Sequence, residues 1–379
     1  MDPAGAEPVL GVDALPGLAA LVAEAFPGAR ALGLAALAGQ ASSRRYYRLR
    51  LEGAAWDGGG PGPADVRSSV VMRLPDDPAL AFGSDEGQVP EEVDGNGAPR
   101  LPFLDVQRFL AARGLPVPAV YAVALERRLL LLEDLGDVSF EARLRDTPGE
   151  RWESLYGAAV DLLAELHGRT AQRPGEAPAR VHRSVFGADL LRWELDHFRE
   201  WGLEALLGPL DPVTRRALDG HFDALAATLA RAPRGFVHRD YQSRNLHWRG
   251  PELVLLDFQD ALQGPAVYDL VALLNDGYVQ VPEALQLAMR RRYAAATGRP
   301  DDALFDLVAV HRKLKDAGRF VYIDRVRGDA SFLPYVGRCL GYVDAALARW
   351  GGAAARELRE IFARLPGYPD GVKVASQHR

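Results

Sequence analysis

The sequence predicts an α+β fold in two lobes, with a small strand-bearing N-terminal lobe and a larger helical C-terminal lobe. Three observations carry this expectation. A chain of 379 residues exceeds one ordinary domain at ~150 residues each. Short β-branched or alternating runs are confined to the stretch before residue 134, apart from one at 253–256. From about residue 150 onward the apolar residues recur almost entirely at helical spacing.

The elements follow in order. Residues 13–26 place Leu18, Leu21, Val22 and Phe26 at helical spacing, and Pro27-Gly28 supplies the stop. Arg45–Leu51 alternates aromatic or aliphatic with basic residues, and Ser69–Leu74 is rich in β-branched side chains, so both read as strands. The Gly/Pro-rich segment 58–63 between them reads as a hairpin loop. Residues 76–100 carry seven acids against one base and seven Gly or Pro, the composition of a solvated insertion. A helix at Leu104–Ala112 precedes two short strands, Ala119–Ala124 and Leu129–Glu133. Helices are expected at 151–168, 188–206, 212–231, 282–297, 302–322 and 332–348. One stretch interrupts them: residues 235–260 combine a polar loop, an apolar strand at Leu253–Leu256 and a second, acidic loop. The expected boundary divides an N-terminal lobe, 1–136, from a C-terminal lobe, 137–379.

Composition excludes several classes. With 48% apolar and 25% charged residues the chain is globular. Cys339 is the single cysteine, which rules out an internal disulfide and fits the reducing cytoplasm. The first ten residues hold two acids and no base, unlike a secretory leader. No run approaches the ~18 apolar residues of a membrane span, so no membrane partner is expected. A net charge of −6 argues against nucleic acid. Lysine occurs only at Lys313, Lys315 and Lys373, so no Gly-Lys-Ser/Thr tripeptide exists and a P-loop is excluded. The histidines show no metal-ligand spacing: His167 reads as a helix-terminal residue and His247 as a loop residue.

The chemistry concentrates at 238–260. Asp240, Asn245 five residues later and Asp257 after an apolar strand form His-Arg-Asp-x-x-x-x-Asn followed by Asp-Phe. Phosphoryl transfer needs a base for the attacking hydroxyl, and oxygen ligands for magnesium on the nucleotide phosphates; this spacing is the one kinase-like enzymes use. Upstream, the polar loop 39–45 precedes a strand, where small hydroxyl residues and backbone N–H groups suit phosphate oxygens. Glu133-Asp134-Leu135-Gly136 follows a strand at the position of a lobe hinge, whose backbone suits adenine.

On these residues, together with LLLEDLGD at 130–137, LDFQDALQGPAVYDLVALLND at 256–276 and HRKLKDAGRF at 311–320, the sequence resembles the aminoglycoside phosphotransferase superfamily. Within it the chain is similar to the anomeric N-acetylmuramate/N-acetylglucosamine kinases of cell-wall recycling. The resemblance implies a protein-kinase-like fold, ATP and Mg²⁺ as cofactors, a small amino-sugar substrate and a cytoplasmic monomer. It makes Asp240 the catalytic base, Asn245 and Asp257 the metal ligands, and His238, Arg239 and Asp269 structural supports. Gly39, Ser42, Ser43 and Arg44 would cover the phosphates, and Glu133 and Leu135 would meet the nucleotide. Kinase-like folds usually carry a lysine on the third strand; here Arg73 is the cation expected there, with Arg44 or Arg45 contributing instead. Gln259, Asp260 and Asp324 are candidates for sugar hydroxyls, and Arg319 and Arg325 for a lactyl carboxylate. An aminoglycoside, choline or homoserine acceptor, or a nucleotide-binding pseudokinase, are the alternative readings.

Overall fold

The computed structural model describes residues 10–37, 44–56, 65–77, 100–299 and 302–377. The expectations placed on Gly39, Ser42, Ser43, the loop 58–63 and most of the insertion 76–100 lie outside the described residues. The chain divides into two compact units, one running to Val138 and including His247–Asp260, the other comprising Ser139–Leu246 and Ala261–Arg379. The division thus falls two residues after the expected one, and the hairpin carrying Asp257 groups with the N-terminal unit rather than with the helices that flank it in sequence.

The first unit is built on an antiparallel sheet of β1 (Arg30–Ala36), β2 (Arg45–Ala55), β3 (Asp65–Arg73), β4 (Val120–Ala124) and β5 (Leu129–Glu133), in the order β1-β2-β3-β5-β4. Side chains alternate between the faces of a strand. Leu49, Leu51, Val71, Leu129 and Leu131 therefore point together onto helix α1 (Leu18–Ala25), whose Leu18, Leu21 and Val22 complete that core. The register pairs Arg48 with Val70, Val70 with Leu132 and Met72 with Leu130, and this set shares the opposite face. Helix α2 (Pro102–Ala111) opens on a proline, which fits a first turn whose N–H has no partner.

Four contacts within this unit hold the returning hairpin. Trp248 N donates to Val138 O at 2.9 Å and Leu255 N to Pro116 O at 2.8 Å. Arg249 reaches Glu133 at 3.0 Å, and Phe258 stacks on Phe103 of α2 with centroids 5.2 Å apart. β7 (Leu246–Arg249) and β8 (Glu252–Leu255) form its two strands.

The second unit is helical: α3 (Phe140–Arg145), α4 (Trp152–Thr170), α5 (Ala188–His197), α6 (Pro212–Ala230), α7 (Tyr268–Leu274), α8 (Glu283–Thr297), α9 (Asp302–Arg327), α10 (Val336–Trp350) and α11 (Gly352–Phe362), with a small ladder of β6 (Arg234–Val237) against β9 (Leu262–Pro265). The expected helix 188–206 passes through a π-helical segment, Phe198–Glu204. α9 packs against α10, α5 and that segment. Gly318 makes the last contact possible, since a Cβ there would stand 2.7 Å from Phe198 Cα. Among the described residues, no helix is long and apolar enough to cross a membrane.

Candidate active site

In the second unit, the loop between β6 and β7 carries His238, Asp240 and Asn245, and buried acceptors fix its main chain. The Asp269 carboxylate at the start of α7 accepts His238 N at 2.6 Å and Arg239 N at 3.1 Å. Asp276, just past α7, accepts Ser243 N at 2.8 Å and Tyr278 N at 2.8 Å, while burial pushes its carboxyl upward. Tyr241 is fully buried and donates its hydroxyl to Ala159 O at 2.7 Å. Arg239 takes a φ of 76° and places its guanidinium 2.6 Å from buried Glu194. Asn245 Nδ2 donates to the Asp240 carbonyl at 2.9 Å. His167 is not merely a helix terminus: it is buried, with Nδ1 2.7 Å from Tyr293 Oη and Nε2 4.0 Å from Asp269.

Two cations from α9 reach Asp240. Arg312 Nη2 lies 3.2 Å and Lys315 Nζ 3.9 Å from Asp240 Oδ1. The Arg312 guanidinium also meets Tyr268 Oη at 3.2 Å and Gln242 Oε1 at 3.3 Å. Burial alone would raise the Asp240 carboxyl, but the charges of Lys315 and Arg312 outweigh it and hold the group well below the usual carboxylate range. Sequence reasoning assigned neither cation a role. The available signal was lysine placement, since two of the three lysines in the chain sit at 313 and 315.

The first unit holds a cleft of about 310 Å³ on the sheet face opposite α1. Val70, Met72 and Leu132 form an apolar wall, Leu135 and Gly136 line the turn after β5, and His247 lies on β7 rather than in a loop. Asp257 closes the cleft in the left-handed region at φ 62°, accepting Gln259 Nε2 on Oδ1 at 2.8 Å. Among the described residues three non-glycine positions adopt positive φ, and two of them, Arg239 and Asp257, belong to the two motif loops. Strain of this kind persists where surrounding structure imposes it, and it concentrates at functional sites.

Several expectations require correction. Arg73 is adjacent to Met72 and therefore faces the other side of the sheet, where it lies 3.1 Å from Asp76; the arginine that lines the cleft is Arg48. Arg48 is gripped by Asp134 at 2.7 Å and Asp137 at 2.9 Å. The Glu133 carboxylate is a strut, accepting Ala119 N at 3.0 Å and pairing with Arg249, which leaves only its main chain to a ligand. Gln259 lines the Asp257 cleft and also touches Asp260, so both fall in the N-terminal unit rather than at a site on the helices. Asp324 is fully buried and bound to Ser376 Oγ at 2.5 Å and to Arg325 at 2.6 Å. Arg325 continues to Ala375 O at 3.1 Å. Twelve residues at 1.5 Å rise separate Asp324 from Arg312, about 18 Å along α9, so Asp324 and Arg325 anchor the C-terminal segment instead of an acceptor. Arg44 is buried.

A family model described as a phosphotransferase enzyme family matches residues 95–306. The chain is 34% identical over 337 residues to the N-acetylmuramate/N-acetylglucosamine kinase of Pseudomonas aeruginosa, spanning 86% of each chain. It is 31% identical to the enzyme of that name from Pseudomonas putida, across 88% of each. Among solved structures, choline kinase LicA from Streptococcus pneumoniae superposes with a TM-score of 0.54 at 12% identity, covering 86% of this chain and 96% of that one. The fold is thus the protein-kinase-like fold of that enzyme.

Proposed function

This chain belongs to the phosphotransferase enzyme family, and from that premise we propose that it transfers the γ-phosphoryl group of ATP to the anomeric hydroxyl of N-acetylmuramate or N-acetylglucosamine. The observation that carries the reading is the Asp240 carboxylate, 29% exposed between buried His238, Arg239 and Tyr241 and flanked by Arg312 and Lys315. A carboxylate so placed has an open edge for a substrate hydroxyl, and its cations oppose the charge that gathers there.

Asp240 takes the proton of the attacking hydroxyl while the oxygen forms its bond to phosphorus and the bond from phosphorus to the leaving ADP breaks. A carboxylate with depressed proton affinity is a weak base. An anomeric hydroxyl suits it, being more acidic than an ordinary alcohol, and in a loose transition state the proton moves late. Lys315 Nζ, 3.9 Å from the same carboxylate oxygen, places a second cation beside the base, after Arg312 at 3.2 Å.

The cleft on the sheet supports the nucleotide assignment. Its apolar wall of Val70, Met72 and Leu132 suits adenine, and the main chain from Glu133 to Leu135 supplies the polar edge. Asn245 and Asp257 are assigned to a magnesium ion by donor chemistry alone, an amide oxygen and a carboxylate being the hard oxygen ligands it takes. Bound there, Mg²⁺ supplies charge neutralisation on the phosphates. An ATP-dependent sugar kinase of this kind works in the cytoplasm, and its product fits peptidoglycan recycling.

The test is ³¹P NMR of the protein with Mg-ATP and, separately, N-acetylmuramate, N-acetylglucosamine and kanamycin. A sugar 1-phosphate resonance is the expected result. Transfer to kanamycin alone would replace the sugar reading with an aminoglycoside one.

A further inference from the structure

On α9, Lys315, Arg319 and Tyr322 follow one another at i, i+4 and i+7 and share a face. The stripe starts at the catalytic carboxylate, with Lys315 3.9 Å from Asp240, and runs away from it for about 10 Å. At its far end the Tyr322 ring packs edge-on against Trp201, centroids 5.2 Å apart, and lies 5.2 Å from His197, which stacks on Trp193 at 5.6 Å. All four of these rings are half-buried, so an aromatic ladder stays open to solvent beside a helix that otherwise carries core.

The charges on this helix differ in one respect. Arg312, Lys313, Lys315 and Arg325 each meet a carboxylate. Among the described residues Arg319 meets none; its guanidinium rests 5.1 Å from the centre of the Tyr322 ring. A half-buried arginine with its fork uncommitted, one helical turn beyond Lys315, is suited to a planar anion. The backbone is shaped to keep the ladder there. The π turn adds a residue per turn at Trp201, the kind of irregularity often found at functional sites, and Gly318 lets Phe198 approach α9 directly beside Arg319.

We infer that Lys315, Arg319, Tyr322 and Trp201 form an acceptor track that binds an N-acetyl amino sugar bearing a carboxylate. Arg319 takes the carboxylate, and the rings of Tyr322 and Trp201 take the apolar face of the sugar or its branch. This deepens the assignment of Asp240 as the base, on which it rests, by selecting N-acetylmuramate over its uncharged relative.

Calorimetric titration of the full chain with each sugar, in the presence of Mg²⁺ and a non-hydrolysable ATP analogue, tests the track without requiring turnover. Arg319→Gln is expected to weaken N-acetylmuramate binding about tenfold more than N-acetylglucosamine binding, the loss of one charge-assisted bidentate contact. Arg319→Lys, which keeps the charge, is expected to recover part of that difference, and Trp201→Leu to weaken both sugars. Melting curves identify any variant that fails to fold, and Arg319→Lys serves if Arg319→Gln does. Equal losses on the two sugars, no loss, or no N-acetylmuramate binding by the unaltered protein would overturn the inference. Phosphoryl transfer measured in parallel separates it from the underlying reading: Arg319-dependent binding without transfer sinks the kinase assignment and leaves the track standing.

Discussion

The Arg312 guanidinium is withdrawn completely from solvent, yet its Nη2 ends 3.2 Å from Asp240 Oδ1, a carboxylate that keeps an exposed edge. A charge fixed in the interior thus controls an acid that must face substrate. Lys315 adds a second charge from the same helix.

The pair sets a pH dependence. Asp240 is held below the ordinary value of about 3.9, so it stays ionised as the pH falls from neutrality to about 5, and kcat/KM shows no acid limb from this group in that range. Arg312→Met removes one of the charges that depress it, and the acid limb of kcat/KM should then move to higher pH. An unchanged profile would separate Arg312 from the base. For stability the sign is the usual carboxylate one: the contribution is complete above pH ~4 and is lost as the pH falls through the lower folded-state value, so thermal melts should drop most steeply on the acid side.

Replacing the base itself gives a different signature. Asp240→Asn should lower kcat by about 10² or more, as expected for loss of a general base, with nucleotide affinity largely retained. Steady-state kinetics beside fluorescence titration of a nucleotide analogue reads both quantities. Full activity in this variant would remove Asp240 from the chemistry.

Asp269 accepts two consecutive main-chain N–H groups in the interior, so Asp269→Ala strands both. Each buried, unsatisfied donor costs about 1–3 kcal/mol, and the variant should melt several degrees lower with reduced kcat. Calorimetric unfolding measures the first effect. Asp269→Asn keeps an oxygen acceptor for only one of the two and should fall between.

The sheet parity of Arg73 and Arg48 separates two cations that lie close in the register. Arg73→Ala should leave the KM for ATP within about twofold, the usual range for a surface change away from a site. Arg48→Ala frees Asp134 and Asp137 inside the cleft and should raise that KM by about tenfold, one lost charge-assisted contact. The opposite ranking would return phosphate binding to Arg73.

Gly318→Ala would drive a Cβ against the Phe198 backbone, an overpacking that costs about 1–3 kcal/mol. Chemical denaturation should show a lower midpoint, and the aromatic ladder should loosen with it, visible as altered tryptophan fluorescence from Trp193 and Trp201.

What was legible in the sequence was what short-range pattern encodes. A β-branched run located β3, a short apolar run located β5, and helical periodicity located most of the second unit, because burial of one face imposes a period on the chain itself. The spacing of Asp240 and Asn245 placed both on one short loop. β1 was not legible, since Arg30–Ala36 contains no β-branched or aromatic residue and forms a strand only through pairing with β2. Arg312, Lys315 and Asp276 lie 72, 75 and 36 residues from Asp240, and no local pattern announces a partner at that distance. Arg73 is a separate case. Its chemistry suggested a phosphate contact, and strand alternation turned it away.

The burial of Lys313 and Lys315 in α9 leaves Lys373 as the one exposed lysine side chain in the chain. For amine-directed chemistry the folded enzyme therefore presents a single lysine handle near its C-terminus, through which it can be labelled or tethered with both motif loops untouched. By the same logic, acylation of Lys315 measured with and without bound sugar, against Lys373 as the constant reference, would turn the scarcity of this residue into a footprint of the acceptor site with a single background signal.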